Sequence, residues 1–177
     1  MSVNEPSSCT PAPLPSLVVR PAHAGDHATI VEFNARLAAE TENKQLDRAV
    51  LARGVALALA EPDRLRYWVA EARGDDDAIA RVIGQAAITR EWSDWRNGWV
   101  WWFQSVYVHP DFRRRGVFQA LHGQIENEAR AQPDVIGLRL YVENGNERAQ
   151  RTYQALGLRP GGYHVYELLW HERFGRQ

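Results

Sequence analysis

The sequence is poor in cysteine, in lysine and in long apolar runs, and each shortage excludes a class of protein. Cys9 is the only cysteine among 177 residues, so an internal disulfide framework is excluded. Lys44 is the only lysine, and the net charge of -1 argues against a general nucleic-acid binder. No apolar run approaches a membrane span, and the first residues lack a signal-peptide core. We therefore expect a cytoplasmic protein with no membrane or nucleic-acid partner.

Length and composition predict one folded domain. Hydrophobic residues make up 45% of the chain and charged residues 24%, as in ordinary globular proteins. A chain of this length buries a core without disulfide or metal staples. Residues 1–15 are polar and rich in proline, which predicts a disordered tail. The folded domain is expected over residues 16–177.

Hydrophobic periodicity predicts a mixed α/β fold. Asp26 and Asp47 are typical helix N-caps, and each is expected to begin a helix. The polar residues 40–47 between these two helices predict a loop or a frayed helix end. Asn97-Gly98 is a strong hairpin signal, so the strands on either side of it should pair antiparallel. Further helices are predicted over 117–131 and 146–156, and strands over 17–20, 66–72, 79–89, 99–108, 135–142 and 163–170.

The strand predicted over 99–108 is apolar on both faces. Strict alternation places Trp101, Phe103, Ser105 and Tyr107 on one face of this strand. The opposite face is also largely apolar, with valines and Trp102. A strand of this kind is buried on both sides, so it should lie at the centre of the sheet with a layer of helices on each face.

The segment 106–121 has the pattern of an anion site. A buried strand ends near Pro110, passes through the basic turn Arg113-Arg114-Arg115-Gly116 and enters an amphipathic helix. The first N–H groups of a helix have no intrahelical partner and lie at the positive end of its dipole. They suit a pyrophosphate, and glycine lets the backbone approach it closely. The alternative is a solvated basic turn.

Two motifs together resemble the GNAT superfamily of N-acetyltransferases. Arg113-x-x-Gly116 is similar to the coenzyme A motif of that family, Gln/Arg-x-x-Gly-x-Gly/Ala, although Phe118 replaces the last small residue. The second signature, Asn-x-x-Ala-x-x-x-Tyr-x-x-x-Gly, follows in the family's order and at its usual separation. The resemblance covers residues 17–170, and the second motif is matched by Asn146, Ala149, Tyr153 and Gly157.

The resemblance implies a fold and a reaction. The fold is a GNAT-type mixed, mostly antiparallel sheet, with helices on both faces and a splayed central strand pair. The reaction is transfer of the acetyl group of acetyl-CoA to a primary amine by direct attack, without a metal. Backbone amides near the strand end would polarise the thioester carbonyl. The cofactor-binding residues implied are Val106, Tyr107, Val108, Arg113, Arg114, Arg115, Gly116, Val117, Phe118, Asn146 and Tyr153.

The resemblance also assigns proton-transfer roles. Tyr153 corresponds to the tyrosine that reprotonates the coenzyme A thiolate, although its apolar helix face also fits a core tyrosine. Gln104 stands on the stretch where some family members carry a basic carboxylate. The general base is then predicted among four carboxylates or a water relay from one of them. Glu42 is favoured because its loop forms a wall of the acceptor site in the family; the others are Glu40, Glu91 and Asp94.

Other interpretations stay open from the sequence. The same fold serves a non-catalytic acyl-CoA-binding or sensing module, which would keep the phosphate site and need no base. An interaction protein would use the tryptophan-rich hairpin, where Trp92, Trp95 and Trp99 crowd together, as its contact surface. These tryptophans also suit the core, an acceptor pocket or a dimer contact. The expected partner is a small-molecule or peptide amine, and the resemblance allows a homodimer.

Overall fold

A five-stranded mixed sheet with four helices forms the part of the chain that the structure describes. The structure is a computed structural model that describes residues 16–73 and 80–168. The predicted disordered tail, residues 1–15, lies outside this range. The helices are α1 (His27–Glu42), α2 (Arg48–Ala60), α3 (Val117–Ala131) and α4 (Glu147–Ala155). The strands are β1 (Ser16–Pro21), β2 (Arg66–Arg73), β3 (Arg81–Ser93), β4 (Gly98–Val108) and β5 (Val135–Leu140).

The sheet has the strand order β1-β2-β3-β4-β5. The first four strands are antiparallel to their neighbours, and β5 is parallel to β4. A parallel pair needs a long crossover, and α3 supplies it. This arrangement confirms the predicted mixed, mostly antiparallel sheet, with β4 flanked by a strand on each side.

Helices cover both faces of the sheet. On one face, α3 packs its buried residues Leu121 and Ile125 against a cluster that includes Trp68 and Phe103. On the other face, α1 and α2 cover a second cluster around Ile30. None of the described helices is long and apolar enough to cross a membrane.

The helix caps confirm one prediction and correct another. The Asp47 carboxylate accepts hydrogen bonds from the amides of Ala49 and Val50 at the start of α2, as an N-cap does. Residues 43–47 form the predicted loop, but it begins later than residue 40, because α1 continues to Glu42 and has Asn43 as its C-cap, with a left-handed φ of 52°. The Glu40 carboxylate accepts hydrogen bonds from Tyr107 on β4 and from Arg113 beyond it. These tertiary contacts stabilise the last helical turn of α1.

The C-terminal strand prediction was wrong for the residues described. Residues 163–168 belong to no strand, and residues 169 and 170 lie outside the described range. Tyr163, Val165 and Leu168 are exposed, so the apolar alternation of this segment does not cover a sheet face. β5 is also shorter than predicted, because it ends at Leu140.

Candidate active site

The two strands at the centre of the site diverge. β4 and β5 pair from Trp99 opposite Val135 to Phe103 opposite Leu140. β5 ends there, whereas β4 continues to Val108. The stretch of β4 beyond Phe103 therefore has no paired residue in β5, and we call this unpaired edge the V-shaped opening.

A β-bulge lies in the same stretch of β4. Gln104 pairs with Ala87 and Tyr107 pairs with Gln85, so Ser105 and Val106 together face Ala86. A bulge of this kind bends the strand and changes which way the following groups point. Ser105 has a left-handed φ of 49°. The backbone amides predicted to polarise a carbonyl, those of residues 106–108, follow directly after this bend.

The bulge corrects the predicted alternation of β4. Phe103 belongs to the cluster under α3, and Val106 packs against that cluster. Tyr107 points to the opposite face, where its ring centroid lies 5.0 Å from that of Phe33 on α1. Tyr107 and Phe103 are therefore on different faces, because the extra residue shifts the period by one.

The N-terminus of α3 forms a cradle next to the opening. Gly116 is the N-cap of α3, has a φ of 82° and is followed by Val117 as the first helical residue. Gly116 has no side chain of its own to cap this end, so the first amides of α3 suit an anion. A Cβ built on Gly116 meets nothing within 4 Å, which leaves space for a ligand. Arg114 also has a positive φ, of 63°, and such turns direct amides inward.

Close packing holds the cradle against β4. A Cβ built on Gly84 of β3 would lie 2.9 Å from Cγ1 of Val117 and 3.2 Å from the backbone oxygen of Tyr107. A side chain at Gly84 would therefore push the start of α3 away from the end of β4.

The three arginines of the basic turn have different surroundings. Nε of Arg113 donates to the backbone oxygen of Val108 at 2.9 Å, and Nη2 donates to Glu40 at 2.5 Å. The guanidinium of Arg115 lies 5.9 Å from the ring centroid of Phe112, and Arg114 is exposed. Arg113 therefore ties the turn to α1 and β4, and the turn adds positive charge around the cradle.

The second motif comes together with the first at Phe118. The Asn146 side chain caps α4 by accepting from the amide of Ala149 at 3.0 Å. On the same helix, the Tyr153 ring centroid lies 5.6 Å from that of Phe118. The Phe118 ring thus packs between α3 and α4, at the position where the family has Gly or Ala. Burial raises the pKa of Tyr153, so its hydroxyl is protonated at neutral pH.

The four candidate bases lie in two places. Glu40 and Glu42 are in the last turn of α1. The Glu40 carboxylate accepts from the Tyr107 hydroxyl at 2.9 Å and from Arg113. Burial opposes its ionisation, but these two bonds outweigh burial and lower its pKa. The Glu42 carboxylate is exposed and pairs with Lys44 at 2.7 Å.

The other two candidates lie at the opposite end of β4 from the V-shaped opening. Glu91 pairs with Val100 in the β3–β4 ladder, and its carboxylate forms an ion pair with Arg139 at 3.0 Å. Asp94 lies in the hairpin turn, where its side chain accepts from the amide of Trp95. Neither carboxylate is near the cradle, because the hairpin joins the start of β4 and the cradle follows its end.

The tryptophans of the hairpin divide between core and surface. Trp101 is buried under α3. Trp92 packs edge-on against Trp99, with ring centroids 5.0 Å apart. The ring centroid of Trp102 lies 4.5 Å from that of Tyr141. Trp95 is 86% exposed and is the hairpin tryptophan that is most available to a partner.

His122 is a buried histidine that sequence reasoning missed. It is 3% exposed, its ring stacks on Phe103 with centroids 5.4 Å apart, and Nδ1 lies 3.5 Å from the Glu126 carboxylate. Burial lowers its pKa, and Glu126 offsets this only in part. Its helical spacing from Phe118 could have shown that it belongs to the buried side of α3.

We expect His122 to make the fold less stable in mild acid. Its pKa is lower in the folded chain than in the unfolded chain, so below a pH of about 6.5 the unfolded chain binds a proton that the folded chain does not. The free energy of unfolding should fall by up to about 1.4 kcal/mol per pH unit in that range. Urea unfolding at pH 5.5 and 7.5 should show this loss in the wild type and a smaller one in His122→Leu. An equal loss in both would mean that other groups cause it.

The described residues hold no metal-type cluster. Within 16–73 and 80–168, no three His, Cys, Asp or Glu side chains are grouped so that they could hold a metal ion.

The match to a family model identifies the class of protein. Residues 30–158 match the model of the Acetyltransferase (GNAT) family. The chain belongs to this family and is an acyltransferase.

Solved structures of the same fold agree with this assignment. A protein from Clostridium difficile 630 described as a possible acetyltransferase is 39% identical, with a TM-score of 0.78, over 87% of this chain and 97% of that chain. A predicted acetyltransferase with acetyl-CoA from Clostridium acetobutylicum is 18% identical, with a TM-score of 0.68, over 91% of this chain and 100% of that chain. A ribosomal-protein-alanine N-acetyltransferase from Brucella melitensis biovar Abortus 2308 is 15% identical, with a TM-score of 0.66, over 88% of this chain and 99% of that chain. No curated protein matches the chain closely enough to count as a relative.

Proposed function

We propose that this protein transfers the acetyl group of acetyl-CoA to a primary amine of a small molecule or peptide. The observation that carries the proposal is the junction of the V-shaped opening with the cradle at Gly116, which lies at the end of β4. The first amides of α3 and the positive φ values of the cradle fit a pyrophosphate. The opening fits an extended arm that runs from the cradle along β4.

Different residues of the chain would bind the cofactor, polarise its carbonyl and donate a proton to the leaving group. When bound, acetyl-CoA supplies an activated acyl group as a thioester. The cradle from Arg113 to Phe118, with Asn146, holds the cofactor, and the backbone amides of 106–108 polarise the carbonyl that develops negative charge. Tyr153 donates a proton to the leaving sulfur, because its raised pKa keeps the hydroxyl protonated.

The last turn of α1 is our proposed source of the general base. Glu40 uses both carboxylate oxygens to hold Tyr107 and Arg113, and its pKa is lowered, so it is a weak base. Glu42 lies on the same turn with an exposed carboxylate. We therefore propose that Glu42 accepts the amine proton through water and that Glu40 holds the wall of the acceptor site in place.

Thermal unfolding with acetyl-CoA tests the proposal. Acetyl-CoA at 100 times its Kd adds about 2.7 kcal/mol, which raises the Tm of a domain of this size by roughly 5–10 °C. We expect Gly116→Ala to bind at least ten-fold more weakly, because alanine is strained at a positive φ and its Cβ enters the ligand space. At the same acetyl-CoA concentration, the shift should fall to about half.

Gly123 of α3 offers a matched control. A Cβ built there also meets nothing within 4 Å, but Gly123 has no positive φ. We expect Gly123→Ala to keep the full acetyl-CoA shift, since it lies beyond the cradle within the helix. An absent shift in the wild type at millimolar acetyl-CoA would refute the proposed cofactor.

A further inference from the structure

Buried polar side chains lie beneath the bulge of β4, on the face of the sheet that α1 covers. Gln85 of β3 has 0% of its surface exposed, and Asn34 of α1 and Tyr67 of β2 are also buried. Polar groups in an apolar layer are costly to desolvate unless they are hydrogen-bonded. Apolar side chains would fill this layer without that cost, so these groups point to a role beyond packing.

The hydrogen bonds of these groups end on the bulge. Nε2 of Gln85 donates to Oδ1 of Asn34 at 2.6 Å and to the backbone oxygen of Ser105 at 3.2 Å. Nδ2 of Asn34 donates to the Tyr67 hydroxyl at 3.0 Å. A single side-chain amide thus joins α1, β3 and the bulged residue of β4.

The orientation of the Gln85 amide is informative. Its Oε1 is buried with no hydrogen-bond partner among the described residues. Turning the amide over would place Oε1 against two acceptors, those of Asn34 and Ser105, and would lose both donated bonds. The observed orientation therefore leaves one acceptor unsatisfied and keeps the donor on the Ser105 oxygen.

Ser105 needs such a contact. A left-handed φ is unfavourable in a residue other than glycine and persists only where the surroundings enforce it. Tyr67 also hydrogen-bonds to the Ser105 side chain, but Gln85 is the side chain that donates to the Ser105 backbone oxygen. Without this donor, we expect Ser105 to relax towards extended backbone. The amides of residues 106–108 would then change direction, because they follow Ser105 directly in β4.

We propose that Gln85 is a positioning residue for acyl transfer, which fixes the carbonyl-polarising amides of β4 through the Ser105 backbone oxygen. The inference rests on the proposed function. A misplacement of about 1 Å at a reacting centre lowers rates by as much as 100-fold, so this role has a measurable effect.

The first experiment compares the wild type with Gln85→Leu in two measurements that do not need the acceptor. In the protein without cofactor, hydrogen exchange of the amides of 106–108 should be at least ten-fold faster in the variant. With acetyl-CoA labelled with ¹³C at the carbonyl, the wild type should show a downfield shift on binding. The variant should lose this shift and keep a Kd for coenzyme A within about twofold, since the cradle is intact.

Val69→Ala is the matched control. Val69 lies opposite Gln85 in the β2–β3 ladder and belongs to the same buried layer. The variant Val69→Ala loses packing but breaks no side-chain hydrogen bond. Hydrogen exchange of the amides of 106–108 and the ¹³C shift should therefore stay as in the wild type. If Val69→Ala changed both signals as Gln85→Leu does, general loosening would explain them and the inference would fail.

The double variant Asn34→Leu with Gln85→Leu separates stability from positioning. Replacing both partners of a buried hydrogen bond by apolar groups is often nearly neutral for stability, so the double variant should be more stable than Gln85→Leu. The ¹³C shift should remain lost, because Ser105 still lacks its donor. Return of the shift would overturn the inference alone, whereas a wild type that does not bind acetyl-CoA would overturn the proposed function with it.

Discussion

Tyr153→Phe should lower kcat by about 100-fold and leave the affinity for acetyl-CoA nearly unchanged. A positioned general acid contributes 100-fold or more to a rate, and the substitution removes only the hydroxyl. The ring stays, so its contact with Phe118 at 5.6 Å between α3 and α4 is kept. The measurement is release of the coenzyme A thiol with the best acceptor from a panel of primary amines, together with the thermal shift by acetyl-CoA.

The pH profile adds a second test of Tyr153. Burial raises its pKa, so the acid stays protonated well into alkaline solution and kcat should fall only where it ionises. Tyr163→Phe is the control, because Tyr163 is exposed on the segment after α4. A kcat of Tyr153→Phe within twofold of the wild type would show that Tyr153 packs and does not donate. The non-catalytic binding module would then be favoured, provided that acetyl-CoA still binds.

The elements next to the cradle could be predicted because their signals are local. Gly116 before the apolar stripe and Pro133 after it fix α3, and the structure has it at Val117–Ala131 as predicted. Asn146 and Gly157 bound α4 in the same way, with a side-chain cap at one end and a φ of 86° after the other. Caps of this kind depend on neighbouring residues alone.

The geometry inside the site could not be predicted, because it depends on distant partners. Strict alternation predicts that Tyr107 and Phe103 lie on the same face of β4, but the bulge at Ser105 puts them on opposite faces. The sequence of β4 does not predict the bulge, because the side chain that donates to the Ser105 oxygen is Gln85 on another strand. The one visible signal is Gln85 itself, the single polar side chain in residues 82–88 of β3.

The last turn of α1 shows the same limit. Its polar sequence predicts a loop, but Glu40 bonds to Tyr107 and Arg113, which are far away along the chain. A contact of this kind overrides local preference. It also gives Glu40 and Glu42 different surroundings, which the sequence could not show because both lie in the same polar segment.

Trp68→Ala should lower the free energy of unfolding by about 4 kcal/mol. Trp68 is 0% exposed, its ring centroid lies 6.2 Å from that of Trp101, and Nε1 donates to Glu128 of α3 at 3.0 Å. The substitution leaves a cavity between β2 and α3 and removes a bond that joins them. The Tm should fall by roughly 8–16 °C, as measured by thermal and urea unfolding.

Trp95→Ala makes the same chemical change on the surface. Trp95 lies in the β3–β4 hairpin and is 86% exposed, so its removal should change the free energy of unfolding by no more than about 0.5 kcal/mol. The two variants therefore compare the effect of the same Trp→Ala substitution on the free energy of unfolding at a buried and at an exposed position. If Trp95→Ala cost as much as Trp68→Ala, and the loss shrank on dilution, Trp95 would be covered in solution by a second copy of the chain. The hairpin would then be a dimer contact.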